Sequence, residues 1–146
     1  MQTELSKYKV IERYPVHWGD MDSANHVNNL IYLRWAESGR IAYFQKIKMD
    51  TSFGGDETGP ILGWQDCKYI FPVTFPDTVV VGVRVAEILD DRFMMECAVF
   101  SEKHQRIAAL SKQSIIPYNY AKLKKVPLPE AWVAAIQKIE SGTSVI

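Results

Sequence analysis

Between Trp18 and Asn29 the chain reads Trp-Gly-Asp-Met-Asp-Ser-Ala-Asn-His-Val-Asn-Asn, the densest polar run in its 146 residues. Asp20, Asp22 and His26 are the groups there that could do chemistry. Carboxylates and imidazoles move protons, and a carboxylate can also attack a carbonyl carbon. The run joins a strand-like segment to the start of an apolar helical one. The first N–H groups of a helix lack intrahelical partners and sit at the positive end of its dipole. Such an end suits an anion, or an oxygen that becomes anionic in a transition state. A carboxylate held beside it would serve as nucleophile or base toward the same carbonyl. Asp, Ser and Asn are equally ordinary in strand-to-helix loops, where they cap helices and tolerate turns, and Asn28 reads as an N-cap. The loop alone admits both readings.

Other chemistries fit less well. Asp20, Asp22, His17 and His26 lie close together, but their spacing matches no metal-site signature, and no cysteine or helical histidine completes a set, so no metal is expected. His26 reads as a loop-ordering residue that bonds neighbouring backbone, His17 as a strand residue and His104 as a turn residue. There is no G-x-S-x-G elbow, and Gly54, Gly55 and Gly59 do not form a phosphate loop between strand and helix. Cys67 and Cys97 lie in apolar, strand-like stretches and read as small core residues rather than a disulfide.

The elements that must position the loop follow from periodicity. Tyr8 to Trp18 reads as a strand with Tyr8, Val10, Tyr14 and Val16 on one side, and Pro15 marks an edge or bulge. Asn29 to Ile47 reads as a helix, apolar on nearly all sides and therefore buried. Met49 to Gly59 reads as a glycine-bearing flexible loop. Four strand-like segments follow, Ile61–Phe71, Thr78–Leu89, Arg92–Ser101 and Arg106–Tyr118, with Val79, Val81, Val83 and Val85 alternating onto one face of the second. The last three predict an antiparallel meander, long enough to curve around the helix. Pro127 to Glu140 holds a short helix with Trp132, Val133, Ile136 and Ile139 on one side, expected on the exterior. The fold class is α+β, one domain over residues 1–146, with a core of about 8–120 and an extension at 121–146.

Composition bounds the partners. Hydrophobic residues make up 47% and charged residues 23%, and 17 basic residues balance 17 acidic ones. A nucleic-acid binder normally carries a basic excess, so none is expected as partner. The N-terminus lacks a signal-peptide apolar core, and no run approaches the ~20 apolar residues that cross a bilayer. A cytoplasmic protein without membrane attachment is expected.

The pattern Asp20-x-Asp22-x-x-x-His26-Val27-Asn28-Asn29-x-x-Tyr32-x-x-Trp35-x-Glu37-x-x-Arg40 resembles the hot-dog-fold thioesterases of the 4-hydroxybenzoyl-CoA thioesterase-like branch. The order strand, buried helix, long antiparallel strands is similar too, over about residues 8 to 120. The resemblance implies a long antiparallel sheet wrapped around a central helix. It also implies hydrolysis of acyl-CoA to free acid and coenzyme A, with no cofactor beyond the coenzyme A of the substrate. Asp22 matches the catalytic carboxylate, and Asn29 the helix-start residue whose backbone N–H polarises the carbonyl. Asp20, His26 and Asn28 match loop-shaping residues. Tyr32, Trp35, Glu37 and Arg40 match the helix pattern and are expected to support packing, pocket or dimer contact.

In other hot-dog branches a helix carboxylate is catalytic, but Glu37 lies about 12 Å along the helix from Asn29 at 1.5 Å per residue. A Glu37–Arg40 ion pair is its expected role. The resemblance further implies a homodimer, or a dimer of dimers forming a homotetramer, with sheets joined edge to edge and sites between subunits. For the coenzyme A phosphates, Lys68, Arg84, Lys103, Arg106 and Lys112 all stand open. The alternatives are a hydratase or dehydratase pairing His26 with Glu37, and a non-catalytic acyl-CoA binding protein.

Overall fold

The computed structural model describes residues 2–49 and 58–141. A short helix α1 (Gln2–Leu5) precedes strand β1 (Val10–Pro15), a 3₁₀ turn at Trp18–Asp20 and the long helix α2 (Asn29–Lys46). Then come β2 (Thr58–Gln65), β3 (Lys68–Tyr69), β4 (Thr78–Ile88), β5 (Phe93–Ser101), β6 (Arg106–Asn119), β7 (Lys124–Lys125) and helix α3 (Glu130–Glu140). All strand pairs are antiparallel, in the order β1-β4-β5-β6-β2, with β3 and β7 also pairing with β6. The meander β4-β5-β6 and the edge position of β1, with Pro15 at its end, follow the sequence reading.

The valine alternation decides which face of the sheet is covered. Val79, Val81, Val83 and Val85 are buried and join the main core with Phe93, Met95, Cys97 and Val99 of β5 beneath α2. Gly39 marks the closest approach of helix to sheet, since a Cβ there would lie 2.7 Å from Val83 Cγ2. The opposite, convex face carries a small second core of Leu5, Tyr8, Val80, Ala98 and Phe100. Tyr8 therefore lies across the sheet from Val10, contrary to the shared side expected for them. Gly82 explains the placement, because a Cβ there would meet the Tyr8 ring at 2.8 Å.

Four further expectations are corrected. The segment Ile61–Phe71 is two strands, interrupted at Asp66, whose carboxylate accepts the Lys112 N–H at 2.7 Å and whose carbonyl accepts the Ser111 hydroxyl at 2.7 Å. β2 also begins inside the expected loop, at Thr58, while residues 50–57 of that loop lie outside the described residues. Helix α2 is buried along one stripe, Tyr32, Trp35, Ala36, Gly39, Arg40, Tyr43 and Phe44, and Leu30 at its start is 64% exposed. Finally, α3 keeps one side in solvent, but its apolar side is part of the main core rather than a cover outside it. Ile136 and Ile139 enter the main core, and Trp132 meets Phe93 edge-on at 6.5 Å. The Glu140 carboxylate accepts the Tyr43 hydroxyl at 2.6 Å and the Val85 N–H at 2.8 Å, which locks α3 to both α2 and β4.

Candidate active site

The polar loop folds as a tight antiparallel return. Met21 bridges Val27, the Asp22 N–H donates to the His26 carbonyl at 3.1 Å, and the Asn28 N–H donates to the Asp20 carbonyl at 2.9 Å. Side chains alternate across such a bridge, so Asp22 and His26, next to Met21 and Val27, project to the other side from them. Val27 is buried and Met21 packs against the core, whereas Asp22 and His26 are exposed. The apolar side anchors the loop, and the polar side is presented outward. At the tip, Asp22 Oδ1 accepts the Ala24 N–H at 2.9 Å, and Asn25 takes the left-handed φ of 61° that asparagine tolerates. Asp22 Oδ2 has no hydrogen-bond partner among the described residues.

Asp20 shapes the entry to the loop, with its carboxylate accepting the His17 N–H at 2.8 Å. His17 caps the 3₁₀ turn instead of lying in the strand. His26 orders the loop through its backbone carbonyl. His104 lies in the β5–β6 turn, as read from the sequence.

The helix start has one open donor. Asn28 Oδ1 accepts the Leu30 N–H at 3.0 Å, and the Asn28 carbonyl accepts the Ile31 N–H at 2.9 Å. That leaves the Asn29 N–H, of the first three in α2, without an acceptor among the described residues. Asn29 lines a cavity of about 270 Å³ together with Val27, Tyr32, Tyr69, Phe71 and Pro72. The wall opposite the helix is fixed by the Tyr32 hydroxyl, which accepts the Val73 N–H at 2.9 Å and donates to the Phe71 carbonyl at 3.3 Å. The Val27 N–H donates to the Val73 carbonyl at 2.9 Å and ties the loop to the same segment. Burial pushes the Tyr32 hydroxyl pKa up, with the Val73 hydrogen bond opposing it.

Tyr69 was not singled out by the sequence. It meets the Tyr32 ring edge-on at 5.3 Å, and its hydroxyl donates to the Asn29 carbonyl at 3.2 Å. Its pKa is pushed up to about 12, first by burial and then by the Cys67 thiol beside it, so at neutral pH it remains a donor. The available signal was the alternation Cys67, Tyr69, Phe71, which puts two aromatics on the helix-facing side of one short segment.

Glu37 is not gathered into this site. It is exposed on α2, and no ion pair with Arg40 within 4.0 Å occurs among the described residues. Arg40 turns into the core instead, with Nη1 buried and without a hydrogen-bond partner among the described residues, and desolvation lowers its pKa. Cys97 is buried and Cys67 half-buried, and both are free thiols. No helix among the described residues is long and apolar enough to cross a membrane.

Comparison with known proteins places this geometry. Among curated protein sequences none matches the chain. A proposed thioesterase from Pseudomonas aeruginosa is 28% identical, with a TM-score of 0.79 over 88% of this chain and 98% of that one. A thioesterase from Thermus thermophilus, solved with coenzyme A and Zn, is 27% identical, with a TM-score of 0.80 over 92% of this chain and 97% of that one. A 1,4-dihydroxy-2-naphthoyl-CoA thioesterase from Synechocystis shares the fold at 18% identity, with a TM-score of 0.77 over 87% and 94% of the two chains. The family model of the thioesterase-like superfamily matches residues 16–136, from the end of β1 through most of α3. The chain belongs to that superfamily and is a thioester hydrolase built on the hot-dog fold.

Proposed function

We propose that the chain hydrolyses acyl-CoA thioesters to a free acid and coenzyme A, with Asp22 as its catalytic carboxylate. The observation that carries this reading is the Asn29 N–H, without an acceptor among the described residues at the positive end of α2, in a residue that lines a cavity and follows directly on the loop holding the half-engaged Asp22. The N–H polarises the thioester carbonyl and stabilises the oxyanion. Asp22 attacks the carbonyl carbon or takes a proton from the attacking water. In both routes the C–S bond breaks, thiolate leaves and is protonated, and a water oxygen ends in the acid. Asp20 and Asn28 hold the loop, and Tyr32 holds the cavity wall. The coenzyme A in the Thermus thermophilus structure supports coenzyme A as the leaving half.

The test is free-thiol release from a panel of short, long and aromatic acyl-CoAs, wild type against Asp22→Asn. The variant should lose roughly 10²- to 10⁴-fold in kcat, the range for a positioned acid or base. A wild type inert across the panel ends the reading, and an Asp22→Asn enzyme of full activity ends the assignment of Asp22.

The site is further proposed to work in a homodimer formed by the pairing of sheet edges. The exposed start of α2, with Leu30 64% exposed, supports a covering partner.

A further inference from the structure

Lys68 and Lys112 stood open from the sequence as holders of the substrate's phosphates, and the structure sends both away from the cavity that Asn29 lines. Lys68 pairs in register with Leu110, Leu110 with Ala98 and Lys112 with Glu96, which puts all of them on the convex face, across the sheet from α2. The two residues of β3 divide the faces, with Lys68 on the convex side and Tyr69 at the cavity. On the convex side Lys7, Tyr8, Asp66, Lys68, Glu96 and Lys112 surround a hollow of about 320 Å³.

Tyr8 is the built part of this hollow. Its ring is seated over Gly82 in the middle of β4, where a Cβ would come within 2.8 Å of it, and the residue is only 6% exposed. Its hydroxyl has no hydrogen-bond partner among the described residues and is not enclosed by them. Burial, and then the Glu96 carboxylate, push its pKa up to about 12, so at neutral pH it is a donor. A donor on a buried ring that meets nothing in the chain is placed for the acceptor of a ligand.

The charges around it are unequal. Glu96 is taken by Arg84 at 2.7 Å, and Asp66 Oδ1 accepts the Lys112 N–H at 2.7 Å. Lys7, Lys68 and Lys112 have no carboxylate within 4.0 Å among the described residues. The Lys7 ammonium stands 5.5 Å over the Tyr8 ring, which holds it at the rim. Four cations, Arg84 included, face two carboxylates, an excess of two positive charges. The space they surround is of a size that takes a small molecule.

We propose that this hollow is a second ligand site, separate from the cavity of the reaction, which takes a compact polyanion with phosphate or carboxylate oxygens. Ammonium groups hold such oxygens as point charges from several directions, and the Tyr8 hydroxyl adds a fixed donor from the floor. An acid of single charge would neutralise only part of the rim. The site stands whether or not the cavity takes acyl-CoA.

Calorimetric titration with inorganic pyrophosphate and with citrate distinguishes the two kinds of oxygen, with acetate as the singly charged control. Wild type should bind at least one of the two polyanions, and about tenfold or more tighter than acetate. Lys68→Ala and Lys112→Ala should each weaken that binding about tenfold, and Tyr8→Phe, which keeps the ring over Gly82, about fivefold. Lys138→Ala, which removes an exposed lysine from α3, should match wild type. Saturating coenzyme A should leave the affinity unchanged. The site is overturned if wild type binds neither polyanion, or if Lys68→Ala and Lys112→Ala bind like wild type. It is equally overturned if Lys138→Ala loses as much as they do, or if coenzyme A displaces the polyanion.

Discussion

At the scale of the residue, the proposed oxyanion donor is a backbone group, and Tyr69 ties its residue from outside the helix. Its hydroxyl donates to the carbonyl of Asn29, the residue whose N–H is open. Tyr69→Phe keeps the edge-on packing against Tyr32 and removes only this tie. One lost hydrogen bond of ordinary strength is worth about 1 kcal/mol, or roughly fivefold in rate if it is felt in the transition state. The expected result is a kcat reduced about fivefold with KM unchanged. A residue that served packing alone would leave kcat intact, so an unaltered kcat in steady-state assays removes Tyr69 from the machinery. The sequence exposed Asp20, Asp22, His26 and Asn28 because their polarity is conspicuous in a short run. Tyr69 stayed hidden because its importance comes from a contact with a residue 40 positions earlier.

At the scale of the element, α3 shows where periodicity stops. The spacing of Trp132, Val133, Ile136 and Ile139 gave the helix and its apolar side correctly, but not the surface that side would meet. Two local facts place it in the core: the buried Tyr43 hydroxyl on α2 and the Val85 N–H beside the irregularity between Val85 and Glu87 both need an acceptor, and Glu140 supplies one. Burial and the Glu140 carboxylate push the Tyr43 pKa upward, so its proton stays in that bond. Glu140→Ala would strand both donors, at about 1–3 kcal/mol for each fully buried one. The urea midpoint should fall by the equivalent of about 2 kcal/mol or more. Because α3 lies at the far end of α2 from Asn29, kcat under native conditions should hold. A midpoint equal to wild type would show that α3 is not clamped this way. The same limit applied to α2, whose start, end and cap at Asn28 were legible, while the coverage of its apolar surface was not.

At the scale of the whole molecule, the strands that end the sheet among the described residues, β1 and β2, are unlike. β1 carries Glu12 and Arg13 and ends at Pro15, the features that keep an edge from pairing with another chain. β2 reads Thr-Gly-Pro-Ile-Leu-Gly-Trp-Gln, has no charged residue, and exposes Leu62 and Trp64. Its one proline, Pro60, lies near the start of the strand, ahead of both exposed side chains. An uncharged edge with exposed apolar side chains is a template for strand pairing. Sheet order made this visible: chain order alone suggests neighbours, whereas the pairing of β2 with β6 sends β2 to the edge beyond β6. If the proposed homodimer forms, β2 is the strand that should meet its copy, and the apolar side chains left open on α2 should lie near the seam. Sedimentation equilibrium of the wild type should then give twice the chain mass. Trp64→Lys, at an exposed position where the lysine costs the monomer little, should move the equilibrium toward the chain mass. Leu110→Lys, at an exposed apolar position on the convex face, should leave it at twice that mass. A wild type that sediments as a single chain, or a Trp64→Lys variant as dimeric as wild type, removes β2 as the pairing edge.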